Sequence, residues 1–329
     1  MSDAPDGTSP RKGRRGRSRA DFDATVADIE AQVRATNAKI EEQVRATNAK
    51  IEARTGRNLI AAIAIGVVLG GAFLVSLIVF KWIFMILAAL LLVFLALELA
   101  AAFRAAGRNV PQIPSAIAAA AIVPASFFLY TRGQWLVLLA GIALVTIWRL
   151  VEAVIPSRRK PAGELGVDLL AGIFIQAYAV FLGSFTVLLA AENNGQWWVL
   201  SLLVVVVSTD TGAYVSGLLL GRHKMAPRIS PKKTWEGFAG SILAALIAST
   251  LVSLFLLHIS FWDGLIFGVA LALTATLGDL TESLIKRDLG IKDISNWLPG
   301  HGGFLDRLDS VLPSAAVAYA LFLIFDGAK

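Results

Sequence analysis

The chain has 329 residues, of which 56% are hydrophobic and only 16% are charged, and its mean hydropathy is +0.69. This composition is typical of an integral membrane protein and excludes an ordinary soluble globular domain. The chain contains no cysteine. A disulfide framework and a thiolate metal site are therefore excluded, and a hard cation with oxygen ligands, such as magnesium, is favoured over structural zinc. The net charge of +6 must be placed relative to a bilayer, and no nucleic-acid partner is expected.

Residues 1–57 form a basic, polar extension. Its first part is rich in Gly, Ser, Pro and Arg, a composition that predicts disorder. The decapeptide QVRATNAKIE then occurs at 32–41 and again at 43–52, and this eleven-residue period predicts a helix with a narrow apolar stripe. Two interpretations stay open: a coiled coil with little or slightly right-handed supercoil, or a single helix on the membrane surface or in solvent.

From Leu59 onward, the chain alternates between apolar segments and short connections. Each segment is close to the ~20 residues that a helix needs to cross a hydrocarbon core ~30 Å thick. The segments lie at 59–80, 82–102, 115–131, 134–151, 167–190, 197–220, 237–257, 262–281 and 308–326. We therefore predict an all-α, polytopic integral membrane protein with about nine transmembrane helices in a domain of residues 58–329. Prolines 111, 114 and 124 make the third and fourth segments the weakest, and a re-entrant pair is the alternative.

The distribution of Lys and Arg predicts the orientation. With a cytoplasmic N-terminus, all but three of the 30 basic residues fall on the cytoplasmic side or at a span end there, the exceptions being Lys81, Arg132 and Lys329. This asymmetry follows the positive-inside rule. The charged connections at 221–237 and 282–307 then emerge together on the cytoplasmic face.

These connections and the adjoining span ends carry groups suited to a phosphorylated substrate. On a helix, Asp279, Ser283, Lys286 and Arg287 share one face, and so do Asp306 and Asp309. A carboxylate at membrane depth, such as Asp210 or Asp279, needs a cation, a metal or water as compensation. Converging carboxylates favour magnesium, and nearby Lys and Arg favour phosphate. The glycines of PGHGGF, Gly302 and Gly303, allow backbone N–H groups to approach an anion.

The run SLIKRDLGIKDISNWLPGHGGFLDRLD at 283–309 resembles the signature of the phosphatidate cytidylyltransferases, the CDP-diacylglycerol synthases, at every specified position. A second block, DTGAYVSGLLLGR at 210–222 followed by SPKKTWEG at 230–237, is similar to the same family. In architecture the resemblance spans roughly 60–326, while the specific motifs occupy the last third of the chain. The extension 1–57 matches nothing in the family core.

The resemblance implies an enzyme that converts CTP and phosphatidic acid into CDP-diacylglycerol and pyrophosphate with a divalent cation, Mg²⁺, as one ion or two. It implies Asp279 and Asp306 as metal ligands, supported by Asp309 and Asp210. The expected phosphate ligands and other substrate-binding groups are Lys286, Arg287, Arg307, Arg222, Lys232, Lys233, Ser230, Ser283, His301, Gly302 and Gly303. For His301, a phosphate hydrogen bond or a turn role is favoured over general acid–base catalysis. Ser230 could instead cap a helix.

The resemblance also implies a homodimer with membrane lipids around it, and the expected location is the cell (inner or plasma) membrane with the active site cytoplasmic. Three rival functions stay open: an ion-coupled transporter, a catalytically inactive scaffold, and a CTP-dependent enzyme for a different lipid phosphate. The transporter is disfavoured because the aspartates gather at span ends rather than at the midplane. Glu98, the lone carboxylate of the second span, either lines a polar cavity or packs near the interface.

Overall fold

The computed structural model describes residues 59–156, 160–295, 297 and 302–325, with the isolated positions Thr36, Lys39 and Glu42. Almost all of the predicted eleven-residue repeat, and also His301, lie outside these residues. Ala61–Lys329 form one compact unit. The division between an extension and a transmembrane domain near residue 58 stays a prediction.

Helices make up almost all of the described chain. They are α1 (Leu59–Val79), α2 (Lys81–Ala105), α3 (Gln112–Val154), α4 (Ala162–Ile175), α5 (Leu182–Ala191), α6 (Gly195–Leu220), α7 (Trp235–Val252), α8 (Phe261–Asp288), α9 (Leu305–Leu308) and α10 (Val311–Phe325). A π-helical segment, Gln176–Phe181, joins α4 to α5, and another, Ser253–Leu257, continues α7.

Seven segments of the described chain are helical, long and apolar enough to cross a membrane. They are Lys81–Ala105, Gln112–Val154, Ala162–Ala191, Gly195–Leu220, Trp235–Leu257, Phe261–Asp288 and Leu305–Phe325. The prediction of an all-α, polytopic membrane protein is confirmed, whereas the count of nine is not. The part of α1 at Gly70–Val79 is also apolar, but it is too short to cross a membrane by itself.

Helix α3 is a hairpin of two helices. Tyr130 has non-helical backbone angles, φ 52° and ψ −144°. A Cβ on Gly133 would lie 2.2 Å from the Ala125 carbonyl oxygen, and one on Gly141 would lie 2.8 Å from the Ala118 Cβ. These pairs approach each other from either side of Tyr130, so 112–129 and 131–154 run antiparallel. At 1.5 Å per residue the halves are roughly 27 and 36 Å long, and they correspond to the predicted third and fourth segments.

Helices α6, α8 and α10 pack through aromatic side chains. The ring of Trp198 in α6 lies edge-on to Phe267 in α8, with centroids 5.7 Å apart, and to Phe322 in α10, at 5.4 Å. Small residues bring backbones close elsewhere, as is usual between membrane helices. A Cβ on Gly278 would lie 2.2 Å from the Asp309 carbonyl oxygen. Glycine at 278 therefore lets α8 approach the start of α10, and both segments carry predicted site residues.

A short antiparallel hairpin connects α6 to α7. Strand β1 (Lys224–Ala226) pairs with β2 (Ser230–Thr234). Thr234 caps α7, since its Oγ1 accepts a hydrogen bond of 3.1 Å from the Gly237 backbone N–H. The alternative in which Ser230 caps a helix is therefore wrong, because Ser230 begins a strand and the helix starts five residues later, at Trp235.

A buried ion pair connects α3 to α4. Arg149 and Asp168 have fully buried side chains, with Nη2 and Oδ2 2.9 Å apart. Asp168 also contacts Lys160 Nζ at 3.3 Å and accepts a 2.9 Å hydrogen bond from the Asn109 backbone N–H. One carboxylate thus joins α3, α4 and the connection between α2 and α3.

Candidate active site

Helix α8 presents several charged side chains on one face near its C-terminal end. Asp279 Oδ1 accepts a 3.4 Å hydrogen bond from Ser283 Oγ, and Lys286 Nζ lies 2.5 Å from Glu282 Oε1. These contacts follow from the helical period, which brings residues four positions apart together. The structure thus places Asp279, Ser283 and Lys286 together, as their spacing predicts, and adds Glu282 to them.

Three carboxylates converge where α8 meets the start of α10. Oxygen atoms of Asp279, Glu282 and Asp309 all lie within 4.8 Å of one another, and we call these residues the acidic trio. Asp210 of α6 lies beside the trio, because Ser310, the neighbour of Asp309, donates a 3.4 Å hydrogen bond from Oγ to Asp210 Oδ1. Like charges this close repel each other unless a cation lies among them.

Lys233 supplies one positive charge to the acidic trio. It lies on β2, and its Nζ is 2.7 Å from Asp279 Oδ2 and 3.4 Å from the Thr276 carbonyl oxygen. One ammonium cannot balance three carboxylates if all are ionised. The all-oxygen donor set of the trio fits a hard divalent cation such as magnesium.

Asp306 lies outside the acidic trio. Its Oδ1 is 2.7 Å from Lys286 Nζ, and its Oδ2 accepts a 2.7 Å hydrogen bond from the Gly303 backbone N–H. Lys286 therefore bridges Glu282 and Asp306. Asp306 also contacts Glu282 directly through a side-chain hydrogen bond. Of the two predicted metal ligands, Asp279 therefore lies in the acidic trio, and Asp306 lies beside the trio against Glu282.

Glu98 of α2 holds in place the loop at residues 302–305, which we call the glycine loop. Its side chain is fully buried. Oε1 accepts hydrogen bonds from the Phe304 N–H at 3.0 Å and from Ser295 Oγ, and Oε2 accepts one from the Leu305 N–H at 2.8 Å. A Cβ on Gly303 would lie 2.1 Å from Glu98 Oε1. Glu98 is thus the anchor of the glycine loop.

The two described glycines of the loop form a tight turn around Asp306. Gly302 has φ +86°, and a Cβ there would lie 2.7 Å from Asp306 Oδ2. The N–H group of Gly303, which was predicted to approach an anion, donates a hydrogen bond to the Asp306 carboxylate. These glycines therefore shape the loop, and the N–H of Gly303 is already engaged within the protein.

A cavity of about 180 Å³ lies between α6, α7 and the hairpin, next to the acidic trio. Asp210, Lys232 and Lys233 are among its lining residues. Its volume is below the range of roughly 300–1,000 Å³ that is typical of complete ligand pockets. It therefore suits one part of a larger ligand.

The predicted arginines are not among the described residues that line this cavity. Arg287 donates a 3.3 Å hydrogen bond from Nε to the Ile229 carbonyl oxygen, which ties α8 to the hairpin. The Arg222 backbone N–H donates to Glu236 Oε2 at 3.1 Å, and its side chain is exposed. Arg307 is exposed on α9, and Ser230 is half-buried at the start of β2.

One member of the acidic trio, Glu282, and one residue near it, Tyr178, were not predicted. Glu282 could have been found, because it lies three positions after Asp279 and four before Lys286 on the same helix face. Tyr178 lies in the π-helical segment, and its buried hydroxyl lacks a hydrogen-bond partner among the described residues, within electrostatic range of all three carboxylates. Nothing in the local sequence distinguishes Tyr178 from a core aromatic residue, although π-helical turns often occur at functional sites.

Comparison with known proteins agrees with this geometry. Residues 60–325 match the cytidylyltransferase family. A relative named phosphatidate cytidylyltransferase from Mycobacterium leprae (strain TN) is 39% identical over 279 residues, which cover 82% of this chain and 89% of the relative. One of the same name from Mycobacterium bovis is 36% identical over 281 residues, 83% and 90% of the two chains. One from Staphylococcus epidermidis is 44% identical over 122 residues, 37% and 47% of the two chains.

The chain therefore belongs to the cytidylyltransferase family, as the match over most of its length shows. It is a membrane-embedded nucleotidyltransferase. The predicted resemblance is confirmed at the level of the family.

Proposed function

We propose that this enzyme transfers the cytidylyl group of CTP to phosphatidic acid and thereby forms CDP-diacylglycerol and pyrophosphate. The observation that carries the proposal is the acidic trio with Lys233, set at the ends of apolar helices in a chain of this family. The names of the relatives support the two substrates.

In this reaction, a phosphate oxygen of phosphatidic acid attacks the α-phosphorus of CTP. A new phosphorus–oxygen bond forms, the bond to the β-phosphate oxygen breaks, and pyrophosphate leaves with that electron pair. The attacking oxygen is already ionised at neutral pH, so no covalent nucleophile of the protein is needed. The protein mainly has to hold two anionic substrates in line against their mutual repulsion.

The acidic trio would hold the divalent cation. Asp279, Glu282 and Asp309 provide the oxygen ligands, and the bound cation supplies charge stabilisation to the transferring phosphoryl group. Lys233 beside Asp279 and Lys286 beside Glu282 offset part of the negative charge of the trio, and a divalent ion would offset the remainder. The proposal includes Asp306 as a further ligand, which joins after a shift of the loop. It includes one bound ion or two.

The lysines have separate tasks in this proposal. Lys232 and Lys233 line the small cavity and would contact the phosphates of CTP. Lys286 lies between Glu282 and Asp306, so it positions carboxylates in the described structure. For the exposed Arg222 and Arg307, the proposed partner is the phosphatidate head group or the departing pyrophosphate.

The proposed location is the cell membrane, with the site on the cytoplasmic face. The concentration of Lys and Arg in the connections around the site supports this orientation. A homodimer is proposed from the family resemblance.

The test uses the full-length protein in detergent, phosphatidic acid and labelled CTP, with and without Mg²⁺. We expect Mg²⁺-dependent CDP-diacylglycerol and pyrophosphate from the wild type and none from Asp279→Asn. The matched control is Asp263→Asn, a change of the same chemistry in the first turn of α8. It lies 16 residues away, at ~24 Å along the helix. Product from another lipid phosphate alone would favour the different acceptor, and no binding of CTP or Mg²⁺ would return the scaffold and transporter interpretations.

A further inference from the structure

A second, larger cavity lies on the apolar side of the acidic trio. It has a volume of about 530 Å³ and is lined almost entirely by apolar side chains of α1, α2, α5, α6 and α10. Thr186 and Ser208 are the hydroxyl-bearing residues among its lining. A cavity of this kind takes an apolar ligand, because a polar group inside it would lose its hydrogen bonds to water.

The cavity begins at the level of the proposed active site. Three of its lining residues are close neighbours in sequence of site residues. Leu308 precedes Asp309, Ser208 lies two positions before Asp210, and Leu95 lies three positions before the loop anchor Glu98. One end of the cavity therefore lies at the level of the proposed active site.

The depth of the cavity matches one leaflet of a bilayer. On α2, its lining extends from Leu95 at the site end to Phe84. These eleven steps of 1.5 Å give a depth of about 16 Å. This is about half of a hydrocarbon core of ~30 Å, the depth that the chains of one leaflet span.

We propose that this cavity binds an acyl chain of the lipid phosphate substrate while its head group lies at the acidic trio. The inference rests on the proposed function and adds the place of the lipid chain. The cavity then provides a chain-length preference, because contacts accumulate with each methylene that enters it.

The chain offers a matched pair of variants. A Cβ on Gly70 or on Gly71 would have no heavy atom within 4 Å, so neither position clashes with its surroundings. Only Gly70 of this pair lines the cavity. Gly70→Leu therefore reduces the space for a chain, and Gly71→Leu adds the same side chain to the same helix elsewhere.

The first measurement is kcat/KM of full-length protein with dioctanoyl and dioleoyl phosphatidic acid. We expect the long-to-short ratio to fall about tenfold in Gly70→Leu, the factor for roughly two methylenes that lose their burial, and to stay unchanged in Gly71→Leu. Equal ratios in both variants would overturn the acyl-chain site while the reaction itself stands. No product from either lipid in the wild type would instead overturn the proposed function.

A second measurement does not depend on turnover. Phosphatidic acid with a diazirine at the end of one acyl chain is incorporated into vesicles with the full-length protein and photolysed. We expect labelled peptides within 84–95 and 200–208, with labelling suppressed by excess phosphatidic acid but not by excess phosphatidylcholine. Labelling that excess phosphatidylcholine suppresses as well as excess phosphatidic acid does would mean that bulk lipid fills the cavity. Lipid label in other peptides but none within 84–95 and 200–208 would mean that the acyl chain does not enter the cavity. Either result overturns the proposal.

Discussion

Glu98→Gln tests whether the loop anchor is required for activity. The variant keeps the size of the side chain but removes its charge and replaces one acceptor oxygen with an NH₂ group. In the wild type, the backbone N–H groups of Phe304 and Leu305 bond to the two carboxylate oxygens at 3.0 and 2.8 Å. In the variant, the NH₂ group faces one of these N–H donors and cannot accept from it. One hydrogen bond to a charged group is lost, at about 1.5–3 kcal/mol, and one buried donor is left without a partner, at about 1–3 kcal/mol.

A loss of about 3 kcal/mol corresponds to a factor of roughly 100 in the population of open loop. We therefore expect amide hydrogen exchange at residues 304 and 305 to become about 100-fold faster, since local opening governs it. The kcat/KM for CTP should fall in parallel. Apolar helix packing is untouched, so thermal unfolding in detergent should shift little.

Glu164→Gln is the matched control, because Glu164 is an exposed glutamate in the first turn of α4. It should leave exchange at 304 and 305 and kcat/KM as in the wild type. Unchanged exchange at both amides in Glu98→Gln would refute the assignment of Glu98 as the anchor. Faster exchange with full activity would show that the ordered loop is not needed for catalysis.

Lys233→Met removes the ammonium group that lies 2.7 Å from Asp279. We expect the KM for CTP to rise at least tenfold in steady-state assays. An unchanged KM would exclude Lys233 from the nucleotide site. Tyr178→Phe removes a buried hydroxyl without a described partner; activity should fall about tenfold with unchanged thermal stability if the hydroxyl serves the trio, and equal activity would make Tyr178 a core residue. Arg149→Met leaves Asp168 buried and poorly compensated, and should lower the free energy of unfolding by about 3–5 kcal/mol. The double variant with Asp168→Leu should recover most of that loss, and a single variant as stable as the wild type would contradict this account.

Hydropathy and helical period predict much of this protein. Apolar segments of about 20 residues predict the membrane helices, and the spacing of Asp279, Ser283 and Lys286 places them on one face of α8. Both inferences need only local geometry. Glu282 has an equally suitable spacing, but it lies just outside the family signature, which begins one residue later, at Ser283.

Contacts between distant segments could not be read from one sequence. The partners of Glu98 are about 200 positions away, and a lone carboxylate in a span indicates that a partner exists without identifying it. The hairpin of β1 and β2 was missed because its strands have three and five residues and Pro231 argues against a regular strand. The reversal at Tyr130 is different, because the polar, glycine-containing stretch TRGQ at 131–134 follows it directly and separates the predicted third and fourth segments.

The loop and the acidic trio are connected by charge as well as by sequence. Glu98 bonds to the backbone at 304 and 305, the loop glycine at 303 bonds to Asp306, Asp306 contacts Lys286, and Lys286 contacts Glu282 of the trio. Each of these contacts includes an ionised or ionisable group, so a shift of one group changes the electrostatic energy of the next. Lys286 lies between the carboxylates of Glu282 and Asp306. Movement of the loop away from α8 would remove Asp306 and leave Lys286 paired with Glu282 of the trio alone. The order of the glycine loop and the charge of the acidic trio are therefore coupled.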